Sequence, residues 1–266
     1  MADWRSYDTI ADAYGRIWAA RFEEVARHLL AVAPPLEGSR LLDLGTGIGA
    51  VTSALGGKAR SLRTIVGCDL SLAMLIQARD RLPDLHLAVA DIVRLPFRDA
   101  SFDVATANCV LSHLVDYRHC LAEVVRVLAR PGAFATSSWG PSTDRYAATW
   151  RQLLEAAVGA GTAQRTADTV VPSEGYFSSP ENVRTALLEA GFTTARVVSA
   201  ELAHDCSVDE YLADRELGAS GRFGRHALGD SGWQLFLGTA RDEFVRRFGD
   251  RVSYSRPLVL AEGTFG

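Results

Sequence analysis

The sequence predicts an α/β fold, a parallel sheet with helices on both faces. Three observations carry this. Short apolar runs at 40–44, 64–68, 85–90, 102–107 and 133–138 alternate with helical patterns. The first run opens into three glycines at every second position, Gly45, Gly47 and Gly49. The second and third runs end on carboxylates, Asp69 and Asp91. Strands joined through helices need crossovers, which are right-handed and cover both faces of the sheet.

The elements follow in chain order. Residues 3–33 read as helical: Trp4, Tyr7, Ile10, Tyr14, Ile17 and Trp18 fall on one helical face. A second helix over 20–32 stops at Pro34-Pro35, which cannot continue it. After the glycines a helix begins at 51–55; another covers 72–81 and stops at Pro83. The helix over 117–128 sets Cys120, Leu121, Val124, Val127 and Leu128 on its apolar side. Pro131-Gly132 turns the chain into the fifth strand. From about Trp139 the pattern breaks, and 140–178 shows little periodicity. Ser179-Pro180 opens a helix, with serine as cap and proline at the first helical position, and Gly191 ends it. A strand at 195–200, helices at 209–217 and 233–248, and an alternating strand at 253–265 complete the chain.

With 266 residues, 48% hydrophobic and 23% charged, the composition is that of a globular protein with a sizeable core. The net charge of −4 and the lack of any Lys/Arg tract give no support to a nucleic-acid partner. Cys68, Cys109, Cys120 and Cys206 form no CxxC pair and read as buried reduced thiols, and no spacing calls for a metal. No apolar run approaches the roughly 20 residues of a membrane helix, and MADWRSYDTI lacks a signal-peptide pattern. These features lead to the expectation of a cytoplasmic protein with no membrane or nucleic-acid partner. Nothing in the sequence specifies an oligomeric state.

In an open parallel sheet, ligands bind at the carboxyl ends of the strands. Gly45–Gly49, Asp69, Asp91 and Asn108 stand there. The glycines permit close approach to a ligand, and Asp69, 20 residues after Gly49, can accept from a ribose diol. A dinucleotide fits that much, and Gly45-x-Gly47-x-x-Ala50 even satisfies its loose fingerprint. Asp43, two residues before the first glycine, and Asp91 suit a different ligand. One can help hold a cationic amino-acid moiety, and the other can face an adenine amino group. A pyrophosphate needs neither.

DLGTGIG at 43–49 resembles the glycine loop of class I S-adenosylmethionine-dependent methyltransferases, and VGCDLSLAML at 66–75 their second motif. The segment 89–134, VADIVRLPFRDASFDVATANCVLSHLVDYRHCLAEVVRVLARPGAF, resembles the central signature of the small-molecule branch, which includes ubiquinone, menaquinone and natural-product methyltransferases. The match spans about 40–140, with a looser one at 178–192. Departures are small: GTGIG stands where GCGTG or GCGxG is commoner, and ARPGAF has Ala133 where a second glycine is usual.

The resemblance implies a Rossmann-like seven-stranded sheet, six strands parallel and the last antiparallel, with a helical lid from 1–33, 140–178 and 201–250. It implies that Gly45, Gly47 and Gly49 approach the amino-acid part of S-adenosylmethionine. Asp69 would take the ribose hydroxyls, Leu70 and Ile92 would flank the adenine, and Asp91 would meet its edge. Asn108 would stand near the methionine part, and Tyr14 would be presented from an N-terminal helix.

Plainer readings stand beside these. Asp43 can organise the loop, Asp91 can cap a turn, and Tyr7 and Tyr14 can be packing residues. His113, in the loop after the fourth strand, is the one candidate general base, with loop ordering as its alternative. The reaction expected is methyl transfer to O, N or C of a small molecule by in-line displacement. Trp139, Trp150, Tyr176, Phe177 and Trp233 would suit an apolar or aromatic acceptor. Cofactor-dependent cyclisation, hydroxylation or decarboxylation, a nicotinamide oxidoreductase, and a non-catalytic binding module, against which the complete glycine loop with Asp69 argues, are the alternatives.

Overall fold

A computed structural model describes residues 3–141, 144–162 and 169–265. Seven strands form one sheet in the order β3-β2-β1-β4-β5-β7-β6. They are β1 Arg40–Leu44, β2 Thr64–Asp69, β3 His86–Val89, β4 Phe102–Asn108, β5 Leu128–Trp139, β6 Thr194–Ser207 and β7 Arg251–Phe265. β7 runs antiparallel between β5 and β6, and the other strands share one direction. The order reverses between β1 and β4, so the crevice that binds ligands in such sheets opens there.

The core follows from the pleat. Leu42 and Leu44 face one way, into the apolar layer that holds Leu121 and Val124 of α5 (Tyr117–Val127) and, further along the sheet, Val183 and Leu187 of α7 (Pro180–Glu189). Leu41 faces the other way, toward Leu55 of α3 (Ala50–Leu55). On that same face Val25 and Leu29 of α2 (Ala19–Val32) pack with Leu258 and Leu260. Successive strand residues point to opposite faces, so near-continuous apolar runs mark strands covered on both sides. Ahead of α2 the chain makes a short turn at Tyr7–Thr9 and α1 (Ala11–Ile17), and these lean on α4 (Leu72–Arg81).

Past the carboxyl edge, β6 and β7 leave the sheet as a two-stranded ribbon, Glu201↔Pro257 to Ser207↔Arg251. A second apolar cluster sits there. Trp150 of α6 (Arg145–Val158) meets Trp233 and Phe236 of α9 (Ala219–Phe248), and Tyr211 of α8 (Val208–Leu217) meets Phe244 of α9.

Three differences from the sequence expectations lie in this region. The stretch 140–178 contains α6, capped by Asp144 accepting from the Ala147 N–H at 2.7 Å. α9 begins at Ala219, far ahead of 233, because packing overrides the low helix propensity of Gly221 and Gly224. It breaks at Gly229, which has φ +68°. β6 runs on through 201–207, where ribbon pairing replaces an apolar alternation. Within the expected lid segments, residues 1–2, 142–143 and 163–168 lie outside the described residues. Among the described residues, no helix is long and apolar enough to cross a membrane.

Candidate active site

The glycine loop is built from beneath. Asp43 and Thr106 are register partners on β1 and β4, and the buried Asp43 carboxylate accepts from Thr106 Oγ1 at 2.8 Å and from Thr46 Oγ1 at 2.6 Å. Burial pushes its pKa up to about 6, against the pull of the two hydroxyls. Asp43 therefore anchors the loop from below and does not line the cavity above it, contrary to a direct role at the ligand. Gly49 is also outside the lining. It caps α3 at φ +87°, and a side chain there would collide with Leu82. Gly47 is different: at φ +55° its N–H donates to Asp69 Oδ2 at 2.9 Å, and a Cβ would meet no protein atom within 4 Å. A side chain there would stand in the cavity.

That cavity measures about 270 Å³ and lies over the carboxyl ends of β1, β2 and β4. Gly45, Gly47, Asp69, Leu70, Asp91 and Ile92 form one side. Tyr7, Tyr14, Phe22, Asn108, Cys109 and His113 form the other. Asp69 accepts through both oxygens, from Gly47 and, at 2.9 Å, from the Ser71 N–H, and burial raises its pKa. Each oxygen keeps lone pairs for a ligand. Asp91 is exposed and accepts from the Val93 N–H at 3.1 Å, so it caps its turn while also bordering the cavity. Leu70 is 72% exposed beside the cavity, an open apolar surface, whereas Ile92 is buried. Asn108 is fixed by Nδ2 donating to the Phe22 carbonyl at 3.1 Å and Oδ1 accepting from Ser137 Oγ at 2.8 Å. Tyr14 stacks on Phe22 at 5.4 Å, and burial raises its pKa well above the usual tyrosine range.

His113 packs edge-on to Tyr7 at 5.7 Å. Burial and then the Arg222 charge push its pKa down to about 4, against a hydrogen bond with the Val170 backbone. Its ring is neutral at pH 7 and a weak base.

Tyr7, Phe22 and His113 also wall a second space of about 210 Å³. Arg21, Arg215, Arg222 and Arg256 line it, with Asp214 and Glu174. Sequence reasoning missed these residues, as it missed Phe22, Met74, Cys109 and Val110 in the first cavity. A φ of +58° at Cys109, rare for a side chain of that kind, is a structural signal that no sequence pattern carries. The aromatic residues expected to meet an acceptor divide. Trp233 and Phe177 are core, Trp150 is buried and also borders the third space that Tyr176 lines, and Trp139 borders the second space under the Arg256 guanidinium at 3.9 Å. That third space shares Arg215 and Arg256 with the second.

The first cavity carries two carboxylates, the neutral His113 and no lysine or arginine in its lining. That suits a cationic ligand and repels a pyrophosphate. Comparison with known proteins agrees. The family model described as "Methyltransferase domain" matches residues 42–136. Malonyl-[acyl-carrier protein] O-methyltransferase of Geobacter sulfurreducens is 31% identical over 244 residues, covering 90% of this chain and 86% of that protein. The chain belongs to the class I S-adenosylmethionine-dependent methyltransferases. Demethylmenaquinone methyltransferase of Beutenbergia cavernae is 36% identical over 115 residues, 41% of this methyltransferase and 46% of that one. The YcgJ protein of Bacillus subtilis has the same fold, with a TM-score of 0.58 at 19% identity over 90% of this chain and 97% of that one. The methyltransferase thus places its glycine loop, Asp69 and Asn108 around one cavity, and Asp43 below it.

Proposed function

We propose that this methyltransferase transfers the methyl group of S-adenosylmethionine to O, N or C of a small-molecule acceptor by in-line displacement. The observation that supports it best is the cavity with Asp69 and Asp91 in its wall and no cation. Bound there, the cofactor supplies a methyl group on a sulfur that is already a good leaving group. The work of the protein is then orientation and exclusion of water. Asp69 accepts from the ribose hydroxyls, Leu70 and Ile92 flank the adenine, and Asp91 takes its amino edge. Gly45 and Gly47 leave room for the amino-acid part, and Asn108 and Tyr14 border the sulfonium. The acceptor approaches from the second space, across the Tyr7, Phe22 and His113 wall. Residues 1–33, 140–178 and 201–250 act as the lid.

Calorimetry with S-adenosylmethionine, S-adenosylhomocysteine and NAD tests the reading. Binding of the first two and not of NAD is expected. Binding of NAD alone would overturn it.

A further inference from the structure

The second space holds an imbalance of charge. Four guanidinium groups and two carboxylates line it. Asp214 ion-pairs with Arg21 and lies 3.4 Å from Arg215, and Glu174 lies 3.6 Å from Arg256. Among the described residues no carboxylate lies within ion-pair distance of Arg222, although this side chain is buried, with 7% exposure. Its Nη1 donates to the carbonyls of Trp4 and Arg5 at 3.3 and 3.0 Å, and the guanidinium lies 5.0 Å from the Tyr7 ring centre. The Nε atoms of Arg222 and Arg215 are buried without a hydrogen-bond partner. A buried donor left unpaired is costly, and a buried charge without a counter-ion more so. Burial accordingly pushes Arg222 down from the usual arginine range and Arg256 to about 10.

The first cavity, across the shared wall, has the opposite excess. The two spaces sort a cation from an anion. None of their described titratable groups is a free strong base. His113 is neutral and weak, the Tyr7 hydroxyl and Cys109 thiol are raised by burial, and Glu174 and Asp214 are paired. An acceptor that is nucleophilic without losing a proton fits such a site.

We propose that the acceptor is a small acid bearing two anionic groups, one held by Arg222 and Arg256, the other a carboxylate whose oxygen takes the methyl group. The oxygen lone pair forms the O–CH3 bond while the S–CH3 bond breaks with its pair returning to sulfur. A methyl ester and a neutral thioether result, and no proton moves. This rests on the methyl-transfer reading above.

The test uses the full chain, first titrated with S-adenosylhomocysteine. The loaded protein is then titrated with malonate, succinate, glutarate and tricarballylate at millimolar concentration, with malonamide as the neutral control and inorganic phosphate as the other anion. Methyl-labelled S-adenosylmethionine is supplied in parallel, and ester is read as base-labile label. At least one of the acids should bind and be labelled, and malonamide should do neither. Arg222→Gln should weaken that binding about tenfold or more, with Arg222→Lys partly restoring it, and Arg256→Gln should weaken it while leaving S-adenosylhomocysteine affinity unchanged. Arg256→Gln is the second variant, because Arg222 also tethers the N-terminal segment. Cofactor binding with no acid bound, or acid binding indifferent to both arginines, overturns the anion site. Phosphate bound as tightly as every acid, with no ester formed, overturns the carboxylate acceptor. Loss of S-adenosylhomocysteine binding in the unmodified chain would instead overturn the reading beneath it.

Discussion

Asp69 does two jobs with one side chain. Its oxygens brace the glycine loop at Gly47 and the start of α4 at Ser71, and they border the cavity where a ribose diol would lie. Asp69→Ala is expected to cost about 2–4 kcal/mol of cofactor binding, read by calorimetry. A carboxylate at a strand end would by itself matter little to folding. The two N–H bonds argue instead for a stability loss of about 1–3 kcal/mol in denaturant titration. Unchanged affinity would remove Asp69 from the ribose.

Asp43 is the complementary case, a buried acid with no view of the ligand. Its folded-state pKa of about 6 lies above the unfolded value near 3.9. The folded form therefore prefers the protonated acid. Its charge destabilises fully above pH 6, and the penalty fades as pH falls toward 4. The Asp43→Asn variant carries no such penalty. The stability of wild type relative to that variant should rise by up to about 3 kcal/mol as pH falls from 7 to 4, in paired thermal melts. A difference independent of pH would mean that the hydroxyls of Thr46 and Thr106 hold Asp43 fully ionised.

Among elements, the N-terminal segment is held by side chains of α4 on one side and of α9 on the other. Asp8 accepts from Ser71 Oγ at 2.5 Å and from the Ala73 N–H at 3.1 Å, and Gln77 Nε2 donates to Asp12 at 2.6 Å. Its apolar contacts run from Ala11, Tyr7 and Tyr14 to Ile48 and Met74. Tyr7 and Tyr14 belong to both the aromatic stripe and the cavity wall and are half-buried, so a ligand in the cavity would cover them further. Amide exchange over residues 7–18 should be fast without S-adenosylhomocysteine and at least about tenfold slower with it, as for a lid of low local stability. Equal protection in both states would make the segment permanent core and return Tyr14 to packing. Spacing alone predicted one helical stripe, but the helix begins only at Ala11 and Ile17 is exposed, so of that stripe Tyr7 and Tyr14 reach the cavity wall. What it packs against was not legible in the sequence, because Ser71, Gln77 and Met74 lie some sixty residues further on.

At the scale of the whole molecule, two large apolar clusters stand apart among the described residues. The sheet and its helices form one, and α6, α8, α9 and the β6–β7 ribbon form the other around Trp233. Trp233 is fully buried, with its indole N–H donating to Glu216 at 2.8 Å. Trp233→Ala should cost about 3–5 kcal/mol. Exchange should rise first in 145–158 and 208–248, with 40–108 and cofactor affinity unaffected. A uniform rise across the sheet would mean that both clusters unfold as one unit.

The sequence by itself determined the parallel sheet, the glycine loop and the carboxylates at the strand ends, because each is written in a local period or within a few residues. The seventh strand and its direction came with the family resemblance. Only the tertiary structure decided that Asp43 lies beneath the loop, that Trp233 and Phe177 are core, and that a chamber of guanidiniums adjoins the cofactor cavity. Its arginines come from α2, α8, α9 and β7, and the contact of Trp18 Nε1 with Asp214 bridges 196 residues. Such residues stand at no spacing that a helix or strand would repeat. Their meaning arises only where folding brings like charges together.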